Sequence, residues 1–248
     1  MNSKIPSISI ITCSLYADDK LQSTLSSVNR QEKVNLESIV VTPDNQIKNL
    51  MLNENSQVVI QSGRGIYQAM NIGLGMAQSQ FCLFLNSGDE FIDTRALSKL
   101  LKKVDGHLWG YGGIQRVNSA GKKLSYHFSP YSQTLHKYGL RHVPHPAAIL
   151  HTETARRLSG FDESYPIAAD QKLLLQFSQL SRPIVTRSLI VNFSMGGISS
   201  DRNFKDVNMD FFQFRNSMFP QNKLDRLFAG KFQSHLESIF QKRKSHFS

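Results

Sequence analysis

Two aspartates stand where a carboxylate can do chemistry. Asp89 closes Asn86-Ser87-Gly88-Asp89, a glycine-containing turn directly after the apolar run Phe81-Cys82-Leu83-Phe84-Leu85. An apolar run of that kind reads as a buried parallel strand, and ligands of such sheets sit beyond the strands' carboxyl ends. A carboxylate there suits a hard divalent cation bridging a diphosphate, since such a cation often takes only one or two protein carboxylates and completes its shell with phosphate and water oxygens. The competing reading is an Asp that caps its own turn. Asp170 opens a helical stretch and shares a face with Leu173, Leu174 and Phe177, at i, i+3, i+4 and i+7. Facing inward it would serve as general base toward a hydroxyl; the alternative is an ordinary N-cap.

Weaker features surround these two. His145, between Pro144 and Pro146, sits in a constrained backbone and reads either as a metal or phosphate contact or as a local hydrogen bonder. The remaining histidines show no metal-ligand spacing, which weighs against zinc hydrolysis. Gly63-Arg64-Gly65 precedes a helical pattern, as at a phosphate-capturing helix N-terminus, but it is no full G-x-G-x-x-G, and no Walker pattern occurs. Gly196-Gly197 with Ser199 and Ser200 has the same standing, with main-chain amides that could hold phosphate oxygens.

The elements that must position these residues alternate. A β-rich run, Ser7 to Cys13, precedes a helical pattern through Leu21, Leu25 and Val28. Ile39-Val40-Val41 forms a second strand ending at the turn cluster Thr42-Pro43-Asp44-Asn45, and Val58-Val59-Ile60 a third. A helix through Ile66, Met70, Leu74 and Ala77 leads into the Phe81 strand, and Asp93-Thr94 caps another with Leu97, Leu100, Leu101 and Val104 on one face. Strand alternating with helix predicts an α/β fold with a mostly parallel sheet flanked by helices. Residues 107–130 read as strands, 139–147 as a compact loop, 152–158 as a short helix, 170–180 as a stronger one, and 191–200 as a segment ending in a loop. Beyond residue 200 the character changes. Phe204, Val207, Phe211 and Met218, then Leu224, Phe228, Phe232 and Ile239, form helical stripes with basic residues between them. The expected division is a domain over 1–200 and an amphipathic basic helical extension over 201–248.

Composition bounds the function. The 248 residues carry 29 Lys+Arg against 19 Asp+Glu, net +10, with 40% hydrophobic residues, a globular rather than disordered chain. Two cysteines exclude a disulfide scaffold or a Cys-rich zinc module. No apolar run approaches the roughly 18 residues a membrane span needs, and the first residues do not read as a cleaved signal. The default is a cytoplasmic protein whose partner is nucleic acid, anionic lipid or a phosphorylated small molecule.

Taken in order, Ser9-Ile10-Ile11-Thr12, Gly65-Ile66-Tyr67-Gln68-Ala69-Met70-Asn71-Ile72-Gly73 and Phe84-Leu85-Asn86-Ser87-Gly88-Asp89 resemble family 2 glycosyltransferases of the GT-A (Rossmann-like) fold, the last two being particularly similar to the colanic acid biosynthesis branch. His145-Pro146-Ala147, Gly160-Phe161-Asp162, Ala168-Ala169-Asp170 and Phe193 to Ser199 fit the same group, so the likeness covers roughly residues 7 to 200. The resemblance implies an inverting transfer of a hexosyl or deoxyhexosyl group, in exopolysaccharide synthesis, from a UDP- or GDP-sugar to a hydroxyl of a polyprenyl-diphosphate-linked saccharide. Asp89 then matches the last carboxylate of an Asp-x-Asp-type motif that binds Mg or Mn, Asn86 holds the place of its first Asp, and Asp170 matches the base. Thr12, Thr42, Asp44, Arg64, Asn71, Asn86, Ser87 and His145 fall at donor-binding positions, with Arg64, Arg141 and His142 candidates to face the diphosphate.

Three acids usual in the family are replaced. Thr42 stands where an Asp follows the second strand, with Asp44 two residues on, and Gly63 and Gln68 stand where two further acids are expected. The alternative to an enzyme is therefore a non-catalytic nucleotide-sugar binder or scaffold derived from the same fold. The positive charge, concentrated beside the aromatic stripes and closing in Lys242-Arg243-Lys244, points to a peripheral position on an anionic cytoplasmic leaflet rather than to nucleic acid, for which no motif is present.

Overall fold

The structure is a computed structural model that describes residues 6–49, 56–61, 65–118, 120–195 and 204–219. In chain order the elements are β1 (Ser7–Cys13), α1 (Asp19–Asn29), β2 (Asn35–Thr42), β3 (Ser56–Ile60), α2 (Ile66–Met76), β4 (Phe81–Phe84), β5 (Glu90–Phe91) and α3 (Ala96–Val104). There follow β6 (Trp109–Val117), β7 (Lys123–His127), α4 (Gln133–Lys137), β8 (Ala148–His151), α5 (Thr152–Arg157), α6 (Ala169–Leu180), β9 (Ile184–Ser194) and α7 (Phe204–Met218).

One nine-stranded sheet runs β3-β2-β1-β4-β8-β6-β9-β5, with β7 added to β6. β1 pairs parallel with β2 and β4, β2 with β3, and β6 with β9; β8 lies antiparallel to both β4 and β6. Six strands (β1, β2, β3, β4, β6, β9) therefore share one direction, and β5, β7 and β8 oppose it. The carboxyl ends of β1, β2, β4 and β9 open on one edge. Because β8 is reversed, its amino end arrives at that same edge, carrying the 3-10 turn His145–Ala147 with it.

Alternation sorts the strands between two apolar layers. Ile8, Ile10, Leu83 and Ile149 pack with Leu97, Leu100, Leu101 and Val104 of α3, and Val40 packs with Leu21 and Leu25 of α1. Helix α2 lies on the opposite face, where Gly73 faces Ile11 and Val41. Every residue of β4 is buried, as its unbroken apolar run requires.

Several local expectations shift. Asp93 does not cap α3 by side chain; it accepts the Arg95 N–H in a turn just before the helix, at 2.7 Å. Nor is Asp170 the N-cap of its helix, because that position belongs to Ala168. β9 begins seven residues ahead of Val191, and α4, β5 and β8 were not anticipated, being five, two and four residues long. The described residues up to Phe211 form one compact unit, and from Phe212 the chain belongs to a second, described only as far as Phe219. The stripe from Phe204 to Met218 falls on α7. Gly63, Arg64, the Gly196-Gly197 loop with Ser199 and Ser200, the stripe from Leu224 to Ile239 and Lys242-Arg243-Lys244 lie outside the described residues.

Gly73 ends the Gly65–Gly73 motif for a packing reason: a Cβ there would collide with Ile11 Cγ2 and touch Val41 Cγ2 at 3.4 Å. Gly73→Ala is expected to destabilise by about 1–3 kcal/mol through overpacking, although alanine is intrinsically the better helix former by roughly 1 kcal/mol. Urea denaturation measures the balance; a midpoint equal to or above wild type would refute this close approach of α2 to β1.

Candidate active site

The turn carrying Asp89 prolongs the parallel pairing of β4 past the strand's end. Leu85 N–H donates to Ile11 O at 3.0 Å and Ser87 N–H to Cys13 O at 3.2 Å. Gly88 then adopts φ +95°, where a side chain is strained, and donates its N–H to Thr24 Oγ1 at 2.9 Å. Asp89 N–H closes the turn on Asn86 O at 3.0 Å, while its carboxylate reaches across to β9, where Oδ1 accepts the Ser194 N–H at 3.0 Å. That bond runs to another strand rather than back into the turn. Asp89 is only 5% exposed. Burial pushes its acid up to about 7, against the pull of the Ser194 N–H and His145.

Asp170 lies in the first turn of α6, its side chain 13% exposed. Leu173, Leu174 and Phe177 are buried on the same face, as the spacing predicts. Its carboxylate is held from three sides. The Tyr67 hydroxyl donates to Ile167 O at 2.5 Å and lies 3.2 Å from Asp170 Oδ1. Gln171 Nε2 donates to Oδ2 at 2.8 Å, and His145 Nδ1 stands 3.3 Å from the same oxygen. Burial alone would raise this acid, but the hydrogen bond and charge of His145, with Gln171, outweigh it and hold it down at about 2. His145 thus acts on both carboxylates, and its Nε2 is buried without a hydrogen-bond partner. A small cavity is lined by Phe84, His145, Phe161, Asp170, Leu173 and Leu174.

The other residues singled out from the sequence separate into two groups. Thr12 is fully buried at the end of β1 with an unpartnered Oγ1, and Asn86 presents a buried, unpartnered Oδ1. Thr42 Oγ1 accepts the Asp44 N–H at 3.1 Å. Asp44 in turn accepts from Ala17 N–H (2.8 Å) and Gln46 N–H (2.9 Å), and these two bonds hold its acid below the usual carboxylate range. It ties the loop after β1 to the turn after β2. Asn71, by contrast, is committed elsewhere. Its Oδ1 accepts the Phe161 N–H at 2.8 Å, and its Nδ2 donates to Phe161 O (2.8 Å) and Glu163 Oε1 (3.0 Å). Asn71 thereby clamps the Gly160-Phe161 turn. Phe161, so fixed, stacks on Tyr67 at 5.5 Å and meets Phe84 edge-on at 4.7 Å. Arg141 donates to Pro130 O at 2.8 Å and His142 stacks on Phe211 at 5.0 Å. Gln68, at a position the family fills with an acid, accepts from Gln61 Nε2 at 2.8 Å.

Sequence reasoning did not name Tyr67, Gln171 or Ser194, although each lies in or beside a quoted motif. Their spacing in the chain carries no sign of the carboxylates they meet.

The implied divalent cation can be tested against these side chains. A buried carboxylate and a buried amide oxygen lacking any donor, Asp89 and Asn86 Oδ1, are the hard oxygen ligands such an ion takes. Among the described residues no three His, Cys, Asp or Glu side chains gather into an all-protein metal cage. The donor set fits Mg or Mn shared with phosphate oxygens.

The architecture is found in glycosyltransferases of known structure. It superposes on the mannosyltransferase PcManGT from Pyrobaculum calidifontis, solved with GDP-Man and Mn2+, with TM-score 0.56 and 13% identity over 80% of this chain and 59% of that one. S. aureus TarS 1-349 in complex with UDP matches with TM-score 0.61 and 16% identity over 88% of this chain and 68% of that one; the chain spans 44% of the longer TarS structure. In sequence it is similar to two uncharacterized glycosyltransferases of Mycobacterium tuberculosis, 29% identical over 213 residues, 79% of this chain and 78% of each relative. No protein-family model matches the chain.

The two acids should affect stability with opposite sign. Asp89 is raised from 3.8 to about 7 on folding, so its ionisation destabilises the fold progressively as pH rises from about 4 through 7. Asp89→Asn keeps an acceptor for Ser194 and should raise the thermal midpoint at pH 8 but not at pH 4. Asp170 is lowered from 3.8 to about 2, so its contribution, about 2 kcal/mol, is present above pH 4 and vanishes as pH falls through 2. Asp170→Asn should lower the midpoint at pH 7. Calorimetry of both variants across pH measures this, and a shift of the same sign at neutral pH would contradict the contrast.

Proposed function

We propose that the protein is an inverting, metal-dependent glycosyltransferase that moves a hexosyl or deoxyhexosyl group from a UDP- or GDP-sugar to a hydroxyl of a polyprenyl-diphosphate-linked saccharide. The observation that carries this reading is the pair of buried carboxylates at one sheet edge, both within the influence of His145, one held ionised and one held back from ionising. Acids whose environments drive them apart divide acid–base labour at one site.

Asp170, an anion at neutral pH, accepts the proton of the acceptor hydroxyl. A carboxylate held near 2 is a weak base, so it takes the proton late, as the oxygen bonds to the anomeric carbon opposite the departing diphosphate. Tyr67, Gln171 and His145 fix its orientation, and Phe84 and Phe161 keep water from its apolar flank. Asp89 and Asn86 hold the cation, which when bound neutralises charge on the leaving nucleoside diphosphate. Thr12, Thr42, Asp44 and Ser87, with Arg64 from outside the described residues, would contact the nucleotide.

A lipid-linked acceptor implies a peripheral enzyme on an anionic cytoplasmic leaflet, in exopolysaccharide synthesis of the colanic acid kind. The net charge of +10 suits that surface. No helix among the described residues is long and apolar enough to cross a membrane. In this reading residues 1–200 are the transferase domain and 201–248 the membrane-facing extension. One observation favours the non-catalytic alternative: of the three replaced acids, the one at Gln68 has its amide occupied by Gln61.

A panel of UDP- and GDP-sugars, supplied with Mn or Mg and membrane-extracted acceptor lipids, separates the two. Transfer to lipid is expected, and Asp170→Asn should lower kcat by about 10²–10⁴-fold while donor Kd stays within about threefold. Undiminished transfer by that variant removes Asp170 as base. Failure of the wild type to bind any nucleotide removes the donor site, while binding without transfer selects the non-catalytic reading.

A further inference from the structure

Helix α6 begins without a capping side chain, because its N-cap residue is Ala168. A buried helix start needs acceptors for its free N–H groups. At the N-cap residue and the one before it, two N–H groups find theirs far along the chain. Asp210, on α7 and 5% exposed, accepts the N–H groups of Ile167 (2.9 Å) and Ala168 (3.0 Å) on its Oδ2. The negative carboxylate also suits the positive end of the helix. Ile167 is the residue whose carbonyl receives the Tyr67 hydroxyl, and Asp170 follows three residues later.

A second contact from α7 reaches the same carboxylate by another route. Phe211 stacks on His142 at 5.0 Å and packs close under Gly139, whose φ is +67° and where a Cβ would lie 3.1 Å from the Phe211 ring. The neighbour of His142, Val143, exchanges two hydrogen bonds of 3.0 Å with the Gln171 side chain, which donates to Asp170. Asp210 and Phe211 thus bracket two of the three supports of the carboxylate, Tyr67 on one side and Gln171 on the other.

We propose that Asp210 is a positioning residue for Asp170, capping α6 from α7 so that the helix following the sequence motifs, as far as Phe211, is part of the catalytic unit rather than an appendage. The proposal rests on the transferase reading for the role of Asp170, and its geometry can be tested apart from activity. A chain cut near residue 200 would then lose the geometry of its base together with any membrane contact.

The test uses the full-length protein and two variants, Asp210→Ala and Asp210→Asn. Amide hydrogen exchange at Ile167 and Ala168 is followed alongside donor Kd, measured with UDP and Mn, and kcat. Asp210→Ala should accelerate exchange at both amides and lower kcat by about 10- to 100-fold, as a misplacement of the order of 1 Å does, with UDP Kd within threefold of wild type. Asp210→Asn retains an acceptor oxygen and should restore protection and kcat to within about threefold. The proposal is overturned by unchanged exchange at these amides in Asp210→Ala, by kcat within twofold of wild type, by parallel loss of UDP affinity and kcat, or by Asn behaving as Ala. A wild type that transfers no sugar sinks the transferase reading instead, and the exchange comparison still decides whether Asp210 is the cap.

Discussion

A carboxylate taken out of water loses hydration that only a partner can replace, and this fold buries Asp89 and most of Asp170, with one imidazole acting on both. The rest of the site follows from how unequally the replacement is shared. Asp170 has Gln171, Tyr67 and the nearer contact with His145, and stays ionised far below neutrality. Asp89 has a single backbone N–H and a weaker influence of His145, and hovers near neutrality. The first arrangement suits a fixed base that never needs a cation. The second suits a ligand whose charge is completed when a cation and a diphosphate arrive.

That arrangement depends on the reversed strand β8. Were it parallel to β4, the His145 turn would emerge at the opposite edge of the sheet, and Asp170 would lose its contact with the imidazole. The aromatic cluster is its counterpart. Asn71 pins Phe161, Phe161 stacks on Tyr67, and Tyr67 faces Asp170. Residues that the sequence places among expected donor contacts thereby act as a scaffold for Asp170. Each contact in this chain fixes the next, so that the orientation of Asp170 depends on groups it does not touch.

Much of the first half of the fold was legible because its signals are local. The unbroken run of β4, the Leu21-Leu25-Val28 spacing of α1 and the Leu97–Val104 face of α3 each encode an element within a dozen residues. β5, β8 and α4 escaped notice because two to five residues hold too little periodicity to mark an element, and such pieces form only where neighbours complete their hydrogen bonds. β9 was read short because its first half mixes Thr186, Arg187 and Ser188 among its apolar residues.

The sequence alone determined which groups could do chemistry. Asp89 ends a buried strand and Asp170 shares a face with buried apolar residues, and both inferences need only the periodicities of strand and helix. It could not determine what those groups meet. Asp89 finds Ser194 across 105 positions, and Tyr67 reaches Asp170 across 103. Asp210 supplies from α7 the cap that Ala168 lacks. Ionisation is set by burial and by partners within a few ångströms, and those distances exist only once the sheet has chosen its strand order. Tertiary structure therefore decided which carboxylate is held ionised, which is held back from ionising, and that Asn71 holds the Gly160-Phe161 turn.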